Sequence, residues 1–441
     1  MELKETLTAS FLAFENKSST DIDSSMHEKR SAAFERFEKK GFPTKKDENW
    51  KYTSLNKILK KNFTVFNNKE TSNLNHNDVK NYFVQGIESF KLVFIDGVFS
   101  SFLSDTTHDG MDICVMSSAL TKPKYKMVMD TYFDELAKDG GSLSDLNTAF
   151  AQEGAYINIP RGTVVAKPIQ ILNFSTGKNV DLLNQPRNLV VVGENAHVQI
   201  IERHHALDGA EQFSNSVTEI FANKRAIVDY YKIQNDKMDA NLIDSTYVSQ
   251  KRDSIVSLHT YSFGGNLTRN NLTFKHEGPH ITSNLNGLSI LKDKQHVDNH
   301  TTMHHMQPDC ESNEWYKGLY MDKSTGVFNG KVIVDQLAQR TNAFQQNDSI
   351  LLSDSAEINS KPQLEIFADD VKCSHGCTIG QLDHNALFYM QSRGIPQVEA
   401  QALLMYAFTA DVLKDVKIPA LKDLITELIA EKLGVDLGFD L

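Results

Sequence analysis

From Gly154 to about residue 384 the chain is written in short runs of β-branched residues separated by polar turns. No other property of the sequence restricts the fold as much. The runs read GTVVAKPIQILNF, RNLVVVGENAHVQIIERHH, FANKRAIVDYYKI, SQKRDSIVSLHTY, GVFNGKVIV and PQLEIFADDV, with helical periodicity essentially absent. The polar turns that introduce such runs begin near Gly193, Ala222, Gln250, Lys275, Met321 and Ser353. Apart from the long step between Lys275 and Met321, taken as two periods, their spacing falls in the twenties to low thirties and implies stacked β coils. A propeller blade needs four strands in about forty residues, more than these intervals hold, so a solenoid is expected. Asn, Gln, Ser and Thr between the apolar residues suit coils whose side chains stack on counterparts above and below. Open coil ends would template further pairing, so helices or a second chain are expected to cover them.

The flanks have a different texture. Residues 1–150 read as mixed but largely helical, residues 151–384 as the solenoid, and residues 385–441 as helical again. In residues 21–41, Met26, Arg30, Ala33, Phe34 and Phe37 share one helical face, with Ser24 or Ser25 as the cap and Gly41 as the stop. Residues 131–154 are helical in pattern but broken at Gly140 and Gly141. Residues 28–61 carry eleven Lys or Arg against five Asp or Glu, read as a solvated helical face. Near the C-terminus, Ala400, Leu403, Leu404 and Phe408 form one stripe, and Leu421, Leu424, Ile425, Leu428, Ile429 and Leu433 a second closed by Gly434. From residue 398 onward there are four Lys and eight Asp or Glu, so this tail is acidic as well as amphipathic. An apolar stripe on a terminal helix serves either internal packing or a partner.

Composition removes several classes of function. The chain is 40% hydrophobic and 23% charged with a net charge of -11, which is the balance of a soluble protein and argues against nucleic acid as a partner. The first twenty residues hold Glu2 and Glu5 and no apolar stretch of signal-peptide length, and no later run reaches membrane-spanning length. Four cysteines (Cys114, Cys310, Cys373 and Cys377) are too few for a disulfide framework. A cytoplasmic location is therefore expected, with any cysteine role lying in metal or sulfur chemistry. There is no GxxxxGK[ST] loop, no GxGxxG opening a helix and no GxSxG elbow, so no equipment for nucleotide hydrolysis or acyl transfer is visible.

The densest chemical cluster is VKCSHGCTIG, where Cys373, His375 and Cys377 occupy alternate positions. In a strand they would project to one face about 6 to 7 Å apart, a row suited to a soft metal or a persulfide sulfur. The same parity includes Val371 and Ile379, the pattern of a buried face with inert thiols, and Gly376 offers a bend that would break the row. Three ligands do not close a tetrahedral zinc site, so a fourth from elsewhere, including another chain, would be required. A second cluster, HVDNHTTMHHMQPDC, holds His296, His300, His304, His305 and Cys310 but without the carboxylate placement expected of a metallohydrolase and without the helical HExxH arrangement. His304 and His305 would face opposite sides of a strand, and ladder or surface histidines are the expectation there, as for His204 and His205.

Several segments together resemble the SufB/SufD family of iron–sulfur cluster assembly proteins, and its SufD branch most. They are GFPTKKDENWKYTSL, LNTAFAQEGAYINIPRGTVVAKPI, NEWYKGLYMDKSTGVFNGKVIV, LLSDSAEINSKPQLEIFADDVKCSHGCTIGQLD, LFYMQSRGI and ALLMYAF. The resemblance implies a right-handed parallel β-helix between N- and C-terminal helical domains. It also implies a non-catalytic subunit in complex with SufB and the ATPase SufC, with the SufC-docking region at residues 396–433. A nascent iron–sulfur cluster would form at the SufB junction when SufC binds ATP, with His375 as a contributed ligand and Cys373 as a thiol at the same interface. The family motif commonly has alanine where this chain has Cys377, so no role passes to Cys377. Reduced flavin is associated with the SufB-containing complex, yet no flavin motif is visible here. No resident cofactor is expected in the isolated chain, and a homodimer of it is left open. The alternatives are a homo-oligomeric metal- or sulfur-binding solenoid using Cys373, His375 and Cys377 within one chain, and a secreted solenoid enzyme acting on polysaccharide.

Overall fold

A computed structural model of the 441-residue chain describes residues 3–18, 24–65, 74–106, 110–176, 181–206 and 211–434. From Gln212 onward the strands alternate between two sheets. Gln212–Ala222, Ala240–Gln250, Leu267–His276, His296–His305 and Thr325–Val334 lie in an eleven-stranded sheet. Ile227–Gln234, Ile255–Ser262, Thr282–Leu291, Glu311–Tyr320, Thr341–Leu351 and Val371–Gly380 lie in a ten-stranded one. Neighbours run parallel, with Ile227 paired to Ile255, Ile255 to Thr282 and Thr282 to Glu311, so each coil takes up a little less chain than the one-period estimate from the turns allows at its upper end. The chain thus winds a parallel β-solenoid of about seven turns, two strands to a coil, with helices at both termini.

The expected repeat is present, and its one irregular interval has a geometric cause. The turns after Gly193, Ala222, Gln250 and Lys275 lead from the eleven-stranded sheet to the ten-stranded one, whereas those at Met321 and Ser353 lead back. The long step from Lys275 to Met321 therefore spans one and a half coils, not two. At the first set of corners Asn195, Arg225, Asp253, His280, Asp309 and Arg340 all adopt left-handed backbone, with φ between 56° and 61°. A non-glycine residue is strained in that conformation. Each offsets the strain with an N–H bond to the next coil's corner, at the carbonyls of Lys224, Arg252, Pro279, Pro308, Gln339 and Asp370.

Between the sheets the inward positions include a fully buried apolar set, Ile200, Ile220, Tyr230, Val248, Leu258, Phe274, Leu285 and Met303, beside paired polar groups such as Lys232 with Glu202 and Asp244. The outer faces are covered by the terminal regions. Helices Leu3–Ser18, Ser24–Lys40 and Ser142–Ala149 bring Leu7, Phe11, Phe34, Phe37 and Leu146 onto the outward Phe213, Ile243 and Leu267 of the eleven-stranded sheet. The expected amphipathic face is observed, with Met26, Arg30, Ala33, Phe34 and Phe37 all buried and Gly41 closing the helix at φ +68°. Ser25 lies inside the first turn and hydrogen-bonds Asp130 at 2.9 Å, while residues 21–23 lie outside the described residues. The basic excess of this region is partly consumed internally, because Arg36 and Lys40 both pair with the buried Asp145. The glycine break recurs as Gly141 at φ +91°, and a Cβ on Gly140 would collide with the Tyr247 hydroxyl. A buried ion pair, Arg187–Glu219 at 2.5 Å, anchors the region, since Glu219 also accepts the N–H groups of Asp134, Leu136 and Ala137.

The two ends of the solenoid differ. At the N-terminal end Phe90–Ile95 joins the ten-stranded sheet beside Ile169–Ser175, and Val98–Phe99 folds back on it through Asp96 and Gly97, both with positive φ. Asp112–Val115 closes the other sheet by antiparallel pairing with Ala155–Ile159. The C-terminal helices Gln397–Ala410 and Pro419–Leu433 do not cap the opposite end. They lie on the outer face of the ten-stranded sheet, where Val412, Leu421, Ile425 and Ile429 pack on Tyr231, Ile233, Tyr261, Phe263, Leu288 and Leu319. Among the described residues, Val371–Gly380 pairs with Thr341–Leu351 and has nothing on its other edge. Antiparallel strands, not helices, thus close one end of the stack, and among the described residues no strand pairs with the other.

Candidate functional site

The open edge carries the alternating cluster. Cys373 lies beside Ala343, His375 beside Gln345 and Cys377 beside Asn347, in one unbroken register through Gly376. Gly376 does not bend the strand; it makes room for Gln346, whose Oε1 an added Cβ would strike. Ala343, Gln345 and Asn347 are all buried on the inward side of their strand. The three residues stacked on them therefore continue the inward columns into space where a further coil would sit. Cys373 is half-buried, packed with Val371 against the core, while His375 and Cys377 are exposed. Burial pushes the Cys373 thiol up, partly offset by a hydrogen bond with the Ala343 backbone. At neutral pH it is a thiol, and it becomes a ligand only by giving its proton up to a metal or a partner's base.

Beneath His375 the core turns polar. The inward column runs Leu258, Leu285, Glu314, Gln345, His375, one residue per coil. Glu314 is 3% exposed and accepts a 2.5 Å hydrogen bond from Thr301 Oγ1 of the facing sheet. Burial pushes its carboxyl up to about 7. Gln345 is close enough to act on that carboxyl, yet neither its amide atoms nor the second Glu314 oxygen completes a hydrogen bond. Sequence reasoning missed this pair. The signal is the spacing of Glu314, Gln345 and His375 by one coil each, which places them in one column only when the register is known.

The histidine-rich segment is divided by strand alternation. His296, His300 and His304 face outward, where their partners are Thr53 at 2.9 Å, Asp298 at 3.0 Å and Asp335 at 2.9 Å. His305 faces inward, as expected for the neighbour of His304, and its Nδ1 lies 3.1 Å from that of His276, with Cys310 nearby. His204 is buried 3.4 Å from Glu202, which also pairs with Lys232. His205 packs at a tilt against Tyr82, with ring centroids 4.3 Å apart, and is pushed down to about 4, chiefly by burial. Both are structural. No helix among the described residues is long and apolar enough to cross a membrane.

Comparison with known proteins identifies the family. The SufBD core domain of the SUF system for FeS cluster assembly matches residues 174–408, and the SufBD N-terminal region matches residues 1–171. An iron–sulfur cluster assembly SufBD family protein of Synechocystis is 32% identical, covering 92% of this chain and 91% of the relative. The iron–sulfur cluster assembly protein SufD of Escherichia coli is 28% identical, with 89% of this chain and 90% of the relative covered. The chloroplastic protein ABCI7 of Arabidopsis thaliana is 30% identical over 85% of this chain and 79% of its own length.

Proposed function

The chain belongs to the SufBD family of SUF-system iron–sulfur cluster assembly proteins, as a SufD-like member, and on that premise we propose that it is a non-catalytic scaffold whose open coil end completes an assembly site with SufB. The observation that carries this reading is the contrast between the two ends of the stack. One is closed by antiparallel strands, whereas the other presents an unpaired strand edge with Cys373 and His375 in a single row. Natural sheets cover or blunt such an edge unless a partner pairs with it. The cluster is cargo in this reading. His375 supplies an imidazole and Cys373 a thiolate, and SufB supplies the remaining ligands, because two or three donors from one strand leave a cluster incompletely held.

We place the SufC contact on the C-terminal helices, in a cytoplasmic complex. The stripe of Leu421, Ile425 and Ile429 is consumed inside the molecule, so the surface offered to a partner is the exposed one with Val398 at 70% exposure and, on the preceding helix His384–Ser392, Phe388 and Tyr389 at 73% and 59%. These helices rest on the same sheet whose last strand carries the site, through Lys317 bonded to the Phe408 carbonyl at 2.9 Å and to Asp411 at 2.8 Å. Closure of an ATP-bound SufC pair would reach the edge along this route if it favours one arrangement of the edge over another. His375 is already exposed in the single chain, so what ATP uncovers is the SufB-paired form.

The test is reconstitution of the full chain with SufB and SufC, with His375→Ala and Cys373→Ser compared against the unaltered protein. Both variants are expected to enter the complex normally by native mass spectrometry, while iron and acid-labile sulfide fall roughly tenfold. Unchanged cluster content in both would overturn the site, and loss of the complex itself would make the two residues structural. Thiol labelling of Cys373 in the complex is expected to quicken when ATP is added. Equal rates would remove the ATP step.

A further inference from the structure

Two coils inside the open end, the interior holds a compact, completely buried group of two imidazoles and a thiol that the proposed scaffold role does not use. His276 and His305 stack in one inward column of the eleven-stranded sheet, preceded by Gln250 and followed by Val334. Facing them, Ser283 and Ser312 stack in a column of the ten-stranded sheet, preceded by Val256 and followed by Ala343. Each histidine reaches the serine of its own coil: His276 Nε2 lies 2.7 Å from Ser283 Oγ and His305 Nε2 lies 2.9 Å from Ser312 Oγ. Cys310 sits at the corner between them, and the donor atoms of the three lie within 4.8 Å of one another. His276, His305 and Cys310 are completely buried.

A purely structural column does not require imidazoles here, since the adjoining coils fill the histidine column with Gln250 and Val334 and the serine column with Val256 and Ala343. Burying neutral imidazoles and a thiol requires every polar atom to be matched. Without an ion the match has a single solution. Ser283 donates to Gln250 Oε1 at 2.6 Å, so His276 donates through Nε2 to Ser283 and offers its Nδ1 lone pair. His305 then donates through Nδ1 to His276 across 3.1 Å and accepts from Ser312. One proton thus lies between two Nδ1 atoms whose lone pairs converge. The rings stand perpendicular, at 85°, which leaves both lone pairs free to point at one atom placed between them. The serines hold the far nitrogens, the outer support by which protein metal sites orient imidazole ligands.

We propose that His276, His305 and Cys310 form a buried three-ligand site for one thiophilic d10 metal ion, distinct from the open edge, with monovalent copper as its best-matched occupant. Imidazole and thiolate together select copper(I) or zinc over hard cations. The choice between them follows from charge. Apart from one another, the three ligands have as hydrogen-bond partners serine hydroxyls and backbone groups of Gly278, His280, Ile281 and Pro308, none of them a carboxylate, and the neighbouring Asp309 is engaged by Arg340 at 2.6 Å. A thiolate with a monovalent ion is neutral, whereas zinc would leave an uncompensated positive charge in the core. On binding, the Cys310 proton leaves and the His305 proton moves from Nδ1 to Nε2, to be accepted by Ser312. One proton is released per ion, and no electron is transferred.

The test uses the full chain, expressed with copper or with zinc supplementation and purified without oxygen. Native mass spectrometry is expected to find one copper ion per chain, with occupancy falling roughly tenfold or more in Cys310→Ser and in His305→Asn and unchanged in Cys373→Ser and His375→Ala. Because a buried substitution can unfold the chain, X-ray absorption of the loaded unaltered protein supplies a second readout. One sulfur and two imidazole nitrogens are expected around the ion. A chain that retains no ion under either supplement overturns the site, as does an ion lost with Cys373→Ser but kept in Cys310→Ser, or an absorption spectrum without sulfur. One zinc ion with the copper pattern of losses upholds the three ligands and overturns the monovalent assignment.

Discussion

Glu314 shows how one residue in the last closed coils couples the core to pH. Its carboxyl is held at about 7 by burial, against about 4.3 for a glutamate in an unfolded chain. Between those values the folded protein binds the extra proton, so stability falls as pH rises through the window and remains lower above it. Glu314→Gln is therefore expected to match the unaltered chain near pH 4 and to exceed it near pH 8, by up to about 3 kcal/mol. Denaturant midpoints at the two pH values check this, and parallel pH profiles would mean that Glu314 ionises without penalty. Arg187 is the opposite case, a charge whose partner Glu219 is fully enclosed. Arg187→Met leaves that carboxylate unpaired and should cost about 3–5 kcal/mol, while adding Glu219→Gln should recover part of the loss. At this scale the sequence was uneven as a guide. Alternation alone put Cys373 and His375 on one side of a strand and separated His304 from His305. It could not find Glu314 beneath His375 or His276 beside His305, because the advance per coil is not constant along the stack and an error of a single position reverses the face.

Elements divide in the same way between what local pattern dictates and what packing decides. The helical periodicity of residues 419–433 predicts an amphipathic helix, and Leu421, Ile425 and Ile429 are its fully buried stripe. Which surface the stripe covers is a tertiary property. The C-terminal helices lie not over a coil end, one of the two covers expected, but on the outer face of the ten-stranded sheet, where Tyr231, Tyr261, Phe263 and Leu288 receive their apolar stripe. Ile425→Ala opens a cavity in that interface and should lower stability by about 2–5 kcal/mol in equilibrium unfolding. Val398→Ser, on the exposed side of the neighbouring helix, should change stability by no more than about 0.5 kcal/mol. It should nevertheless weaken SufC capture in a pull-down with the full chain. Wild-type capture by Val398→Ser would move the proposed contact to another face.

For the whole molecule, the solenoid makes stability a local quantity. Each coil touches only its neighbours, so its resistance to opening depends on how many neighbours it has and on what covers its outer face. Coils built from Gln212–Ala222 and Ile227–Gln234 are flanked on both sides and covered by both terminal regions. The strand Val371–Gly380 has one neighbour, and Cys377, Thr378 and Ile379 are exposed. Amide hydrogen exchange in the isolated full chain should therefore be graded, slowest in the central coils and fastest in Val371–Gly380. Pairing with SufB would give this strand the second neighbour it lacks, and its exchange should then slow towards that of Thr341–Leu351 without comparable change in the centre. The same experiment bears on self-association. If Val371–Gly380 is already protected in the isolated chain, and the protection disappears on dilution, two copies are pairing through the edge proposed for SufB. Protection that survives dilution, with no further slowing when SufB is added, would mean that the edge is closed within one chain and that the scaffold reading has the wrong surface.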